Sequence, residues 1–164
     1  VAPSGRVELE LSAGRGQRIE LADDVTVLDD CYNANPMSMR AALDELAATA
    51  PGAPAGRRLA VLGDMLELGP DARAYHHELG EHAARAGVDV LVTVGPLAAS
   101  IADGFDSEGV RDGEAYSVAD AGEAAALVRE LIEPGDVVLV KASRGIGLEL
   151  VTDALAADLA EHSG

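Results

Sequence analysis

From residue 17 onward, short β-branched or aliphatic runs alternate with longer stretches whose apolar positions recur at helical spacing. Arg18–Leu21 and Val25–Asp29 read as two short strands around Ala22, Asp23 and Asp24, the pattern of a hairpin. Asn35 and Pro36 then open a helix, because Asn caps well and Pro suits the first turn. Met39, Leu43, Leu46, Ala47 and Ala50 fall on one face of it, and the Pro51–Pro54 segment ends it. Arg58–Gly63 is the next strand, followed by the loop Asp64–Gly69 and a helix from about Asp71 to Ala86 that Gly87 stops. Asp89–Val94 is a strongly apolar strand, Pro96–Phe105 a short helix and Ala115–Val118 a weaker strand. Asp120 and Glu123 form a capping pair ahead of Ala124, Leu127, Val128 and Leu131. Pro134 and Gly135 turn the chain into the strand Asp136–Val140, and the loop Lys141–Gly147 leads to a last helix marked by Leu148, Val151, Leu155 and Leu159.

This order predicts about six strands and five helices in β-α alternation. Right-handed crossovers make it a Rossmann-like, doubly wound, mostly parallel α/β sheet. Ligands of such sheets bind beyond the carboxyl ends of the strands. The loops Asp29–Asn35, Gly63–Gly69, Gly95–Pro96 and Lys141–Gly147 are placed there and hold nearly every unusual polar residue. Residues 1–14 fit poorly: Val7, Leu9 and Leu11 alternate with polar residues, then Gly14 and Gly16 flank Arg15. They read as the tail of a preceding domain and a hinge, with a chain that opens on Val1 being processed or cut from something longer.

Composition sharpens the picture without changing it. A length of 164 residues fits one domain. With one Phe, three Tyr and no Trp, the core must be built from Ala, Val and Leu in close layers. The formal charge of −17 repels phosphate backbones and anionic lipid, which argues against nucleic acid or a membrane as partner. A single cysteine, Cys31, cannot form an internal disulfide, and this fits a reducing cytoplasm. Lys141 is the sole lysine among twelve basic residues, so an anionic ligand needs a local positive cluster set against the global charge.

Three constellations could carry chemistry. In Asp29–Pro36, two carboxylates and two carboxamides gather at a strand end ahead of a helix, where a ribose or an amine could be held. The same residues suit a capping turn equally well. In Leu62–Gly69, glycines bracket Asp64 and Glu67; carboxylate oxygens suit magnesium, although a structural loop explains two acids better. In Val140–Gly147, Lys141, Ser143 and Arg144 leave a strand together, a set able to grip a carboxylate or phosphate. Neither the P-loop GxxxxGK[ST] nor the GxGxxG fingerprint occurs. His77 and His82 miss the i, i+4 spacing of HExxH, so a zinc protease is rejected, while His76 or His77 could touch a ligand or lie on the surface.

The same segments resemble the C-terminal domain of the Mur ligase family, and within it the members that add D-alanyl-D-alanine. The resemblance rests on DDCYNANPMSMRAAL from Asp29, LGDMLELG from Leu62, HHELG from His76 and KASRGIGLE from Lys141, in order along nearly the whole chain. Ala142 departs from the family, which usually has Gly there; this could narrow the loop's freedom but leaves Lys141, Ser143 and Arg144 in place. The resemblance implies a cytoplasmic, three-domain, ATP-dependent C–N ligase of peptidoglycan synthesis, active in cell-wall biogenesis, cell shape and division. Residues 15–164 would be its ligand-closing domain. Its partners would be the N-terminal and central domains of the same polypeptide, D-alanyl-D-alanine and UDP-N-acetylmuramoyl-tripeptide. ATP and Mg2+ would be held mainly by the central domain, and the tripeptide carboxylate would pass through an acyl phosphate.

Within that scheme Arg15, Asp30, Asn33 and Asn35 are expected at ATP, and Asp64, Glu67, His76, Lys141, Ser143 and Arg144 at the dipeptide or acceptor. No residue is assigned as a general base, and the chain alone is expected to be inactive. The alternatives are a related Mur-type or glutamate-adding ligase domain, or a stand-alone, non-catalytic binding domain.

Overall fold

The computed structural model describes residues 17–30, 34–109 and 113–163, with side chains through 159. Its elements in chain order are β1 (Gln17–Glu20), β2 (Thr26–Asp30), α1 (Pro36–Ala48), β3 (Arg58–Gly63), α2 (Ala72–Arg85), β4 (Val90–Val94), α3 (Ala99–Ser107), β5 (Glu114–Val118), α4 (Ala121–Leu131), β6 (Val137–Lys141) and α5 (Glu149–Ser163). The six strands form one sheet in the order β1-β2-β6-β3-β4-β5. Only β1 runs antiparallel; it pairs with β2 through the expected hairpin, in which Asp23 and Asp24 take positive φ of 62° and 60°. Asp tolerates that conformation better than most residues.

The two faces of the sheet carry different side chains. Leu28, Ala60, Leu62, Leu91 and Leu139 point to the face covered by α1, α2 and α3, where they meet Met39, Leu43, Leu79, Ile101 and Phe105. Val27, Val61, Val92, Val138 and Val140 point the other way, against Ala124 and Val128 of α4 and Val151 and Leu155 of α5. The central strands are buried on both sides, and this is why they read as unbroken apolar runs. Helices α2 and α3 approach closely because both contribute glycine at the crossing. A Cβ on Gly80 would overlap the Ile101 carbonyl oxygen, and one on Gly104 the His77 carbonyl oxygen.

Several boundaries differ from the sequence reading. Helix α3 begins at Ala99 rather than Pro96, because residues 96–98 form a turn held by a side chain from another loop, described below. On α1, Ala42 joins the buried face, whereas Ala50 lies beyond the helix and is exposed. Asp30 and Lys141, expected in loops, are the last residues of β2 and β6 and lie opposite each other in the ladder.

At the amino ends of the strands, Asp136 is wholly buried and accepts hydrogen bonds from the Arg57 backbone N–H at 2.8 Å, the Arg57 guanidinium at 2.9 Å and the Glu133 N–H at 2.8 Å. The Asp136 hydrogen bond holds the Arg57 guanidinium above its ordinary pKa, against the opposing effect of burial. The Tyr116 hydroxyl donates to Glu114 at 2.9 Å, and that bond raises its pKa by favouring the neutral phenol. Both pairs lie away from the candidate site and belong to the frame. Among the described residues, no helix is long and apolar enough to cross a membrane.

Candidate functional site

The helices following β2 and β3 cover one face of the sheet, whereas the helix following β6 covers the other, and β6 lies between β2 and β3. Successive connections therefore diverge on either side of the carboxyl end of β6. This divergence opens the crevice in which doubly wound sheets bind ligands. Parallel register brings the strand ends level: Asp30 pairs with Lys141, Lys141 with Leu62, and Gly63 with Val94.

At the centre of this rim the Lys141 ammonium donates to Asp30 Oδ2 at 2.7 Å. The lysine side chain is only 2% exposed and the aspartate 27%. A cation this deep requires a close counter-charge, since isolated burial would cost several kcal/mol. Lys141 therefore cannot reach outward for a ligand in this conformation; it presents Asp30, whose carboxylate is the part facing solvent.

The neighbouring loops are stitched together from beneath. The Ser143 N–H donates to the Asp64 carbonyl at 3.1 Å, and the Leu66 N–H donates to Ser143 Oγ at 2.9 Å. Asp64 Oδ1 accepts from the Ala98 N–H at 2.7 Å, tying the loop after β3 to the turn before α3. Gly95, at φ 112°, crosses directly over that carboxylate, and a Cβ there would lie 2.6 Å from Asp64 Oδ1. His76 is fully buried in α2; its Nε2 accepts from the Met65 N–H at 2.9 Å, and its Nδ1 lies 2.6 Å from the Ala72 carbonyl. A backbone N–H can only donate and a carbonyl only accept, so the ring carries its hydrogen on Nδ1.

The sequence suggests Asp64 and His76 as ligand contacts; the structure buries both, Asp64 at 5% exposure and His76 at 0%, and engages Asp64 Oδ1 and both ring nitrogens of His76 with backbone groups. Nor is His76 a surface histidine; that description suits His77, half-exposed beside Glu81. Glu67 and Arg144 are exposed on the rim. Glu67 holds φ 62°, a left-handed conformation that costs about 1–2 kcal/mol for such a residue. Ser143 is 8% exposed. Asn35 caps α1: the Ser38 N–H donates to its Oδ1 at 2.9 Å, and its own N–H donates to Ser38 Oγ at 3.1 Å. The role of Ser38 was legible as the third residue of a capping box but was missed. Arg15 and Asn33, with Cys31 and Tyr32, lie outside the described residues.

Ala142 is fully buried, without a positive φ. Its methyl group fills the space that a Cβ on Gly63 would need, at 2.6 Å. The departure from glycine is thus accommodated by a glycine on the neighbouring strand. A separate cavity of about 120 Å³, lined by Asp23, Arg129, Pro134 and Asp158 among others, opens at the opposite rim. It gathers no convergent buried polar groups, unlike the carboxyl rim.

Fold and rim together define a doubly wound α/β domain in which the carboxyl ends of β2, β6 and β3 lie side by side at the point where the connections diverge. A family model described as the Mur ligase glutamate ligase domain matches residues 14–144, and the chain belongs to that family. A Mycobacterium bovis UDP-N-acetylmuramoyl-tripeptide–D-alanyl-D-alanine ligase is 46% identical over 90% of this chain and 32% of its own length. Among solved structures, MurF from Acinetobacter baumannii superposes with a TM-score of 0.73 at 32% identity, covering 90% of this chain and 30% of that one. The MurF ligase from Thermotoga maritima, in complex with ADP, superposes with a TM-score of 0.72 at 28% identity, covering 91% and 32% respectively. The chain thus spans about a third of the length of the relatives it matches.

Proposed function

We propose that this chain is the ligand-closing domain of an ATP-dependent amide ligase that joins D-alanyl-D-alanine to UDP-N-acetylmuramoyl-tripeptide through an acyl phosphate, in the cytoplasm, as a step of peptidoglycan synthesis. The observation that carries the reading is the gathering of three loops, after β2, β3 and β6, on one rim at the point where the sheet's connections diverge. The 46% identity to a ligase named for that substrate pair supports the specificity.

In this reading ATP is a co-substrate shared with the remaining domains of the polypeptide. Arg15, Asp30, Asn33 and Asn35 serve the nucleotide side, with Lys141 acting through the Asp30 carboxylate it orients. Ser143, Arg144 and Glu67 face the dipeptide. An exposed guanidinium suits the dipeptide carboxylate because it can bind both oxygens. Asp64 and His76 shape that surface from below. Among the described residues no three acids or histidines gather to hold a metal ion, and Mg2+ would be held by the central domain. Catalysis on this side consists of positioning and electrostatics once the domain closes.

The test is phosphate release by the full-length enzyme, with and without D-alanyl-D-alanine. Release should require the dipeptide, and Arg144→Ala should raise its KM about tenfold or more, as expected for a lost charged hydrogen bond. An unchanged KM removes the Arg144 assignment, and release indifferent to the dipeptide removes the substrate. The 164-residue chain alone should release no phosphate.

A further inference from the structure

The Ser143 hydroxyl is the one short polar side chain that emerges from β6 at the rim without a charge of its own, and its orientation is set from outside its own loop. The Leu66 N–H donates to Ser143 Oγ at 2.9 Å, so the oxygen is engaged as an acceptor and its hydrogen is available to donate away from that bond. What places the Leu66 N–H is the peptide before it. The adjacent Met65 N–H is fixed at 2.9 Å from His76 Nε2, deep in the core where Met65 and His76 are both 0% exposed. His76 is in turn locked by its Nδ1 contact with the Ala72 carbonyl at 2.6 Å, one turn back on α2.

We infer that His76 is a positioning residue for the Ser143 hydroxyl: through Met65 and Leu66 it transmits the fixed position of α2 to the ligand-facing oxygen on the loop after β6. The inference rests on the reading of that loop as the dipeptide surface, and it gives a task to His76, which is fully buried on α2. The Asp64–Met65 peptide is one planar unit: its N–H donates to His76 and its carbonyl accepts the Ser143 N–H at 3.1 Å. A shift at the Met65 amide therefore displaces Ser143, while the packing of the fully buried Met65 holds the two backbone dihedrals that lead on to the Leu66 N–H.

Two substitutions separate positioning from packing. Asn at this position can reproduce the Nδ1 contact to the Ala72 carbonyl but is too short to accept from Met65. Gln can place an acceptor where Nε2 stands but gives up the Ala72 contact. Each removes the ring and retains one of its two hydrogen bonds. In the full-length enzyme, His76→Asn should raise the KM for D-alanyl-D-alanine about tenfold with little change in kcat, whereas His76→Gln should recover most of that loss. In a Ser143→Ala background, His76→Asn should add nothing, because the group it positions is gone.

Equal KM effects for Asn and Gln, or full additivity with Ser143→Ala, overturn the inference and leave His76 as a packing residue. If neither variant folds, amide exchange in the wild-type enzyme reads the same clamp. Met65 and Leu66 should be among the slow amides of their loop and slow further with dipeptide bound; fast exchange at Met65 overturns the clamp. A wild-type enzyme whose phosphate release ignores the dipeptide instead overturns the functional reading, a separate outcome.

Discussion

Asp64 tests whether a buried acid at this rim serves the frame or the ligand. Its Oδ1 accepts the Ala98 N–H at 2.7 Å, and Gly95 passes over the carboxylate too closely for any side chain or larger replacement. Asp64→Ala leaves the Ala98 amide, itself in a fully buried residue, without its acceptor. A hydrogen bond to a charged acceptor, once removed at a buried donor, costs about 1.5–3 kcal/mol. In a domain of this size each kcal/mol lowers Tm by roughly 2–4 °C, so Asp64→Ala should melt about 3–12 °C early. Asp64→Asn keeps the shape and a carbonyl oxygen in the accepting position, so it should lose only the charge assistance, about 1 kcal/mol or less. Circular dichroism melts of the wild type and both variants supply the comparison. If Asn is as destabilising as Ala, the charge rather than the hydrogen bond holds the turn before α3, and the argument is wrong. Full-length kinetics then give the functional arm. An acid that touched ligand or metal would lose activity with Asn as fully as with Ala, whereas Asp64 as a structural hook predicts near-normal activity for Asn.

Gly80→Ala should destabilise the domain by about 1–3 kcal/mol, because the added methyl meets the Ile101 carbonyl and lies 2.7 Å from the Phe105 nitrogen, backbone atoms that cannot rotate away. Urea titration measures it, and a midpoint equal to the wild type would show that α2 and α3 are free to separate. Tyr116 should ionise above its ordinary value of 10.0, because its hydroxyl donates to Glu114 and the phenolate would lose that bond. The associated stabilisation is complete below the unfolded-state pKa and disappears as pH rises through the higher folded-state value. Ultraviolet difference titration of wild type against Glu114→Gln reads the shift: the variant should ionise earlier, and coincident curves would refute the assignment.

How far the candidate site was legible depends on what each residue interacts with. Asn35 and Pro36 announce the start of α1 because capping is a contact within four residues, and the structure places the helix there. The valine and leucine runs announce strands buried on both faces, because such strands cannot show polar alternation. The parallel order, the hairpin at one edge and the five helices follow from that alternation, since short connections and right-handed crossovers leave few alternatives. The strand ends and loop carrying Asp30, Lys141 and Asp64 could therefore be assigned to one rim from residue order alone, and the resemblance to the Mur ligases was readable in the short motifs there.

The direction of each polar side chain required the tertiary structure. Lys141 and Asp30 are separated by more than a hundred residues, and only the β2–β6 ladder makes them partners, turning an apparent anion-gripping lysine into the support of a carboxylate. Asp64 looks like a ligand residue in a one-dimensional reading because acids in glycine-bracketed loops so often are, and His76 because histidines so often touch ligands. Their actual partners, the backbone amides of Ala98 and Met65, have no identity in a sequence, since every residue but proline carries the same N–H. Local chemistry thus decided where the elements begin and which way the strands run; close packing of loops from distant parts of the chain decided which polar groups face a ligand and which hold the surface in place.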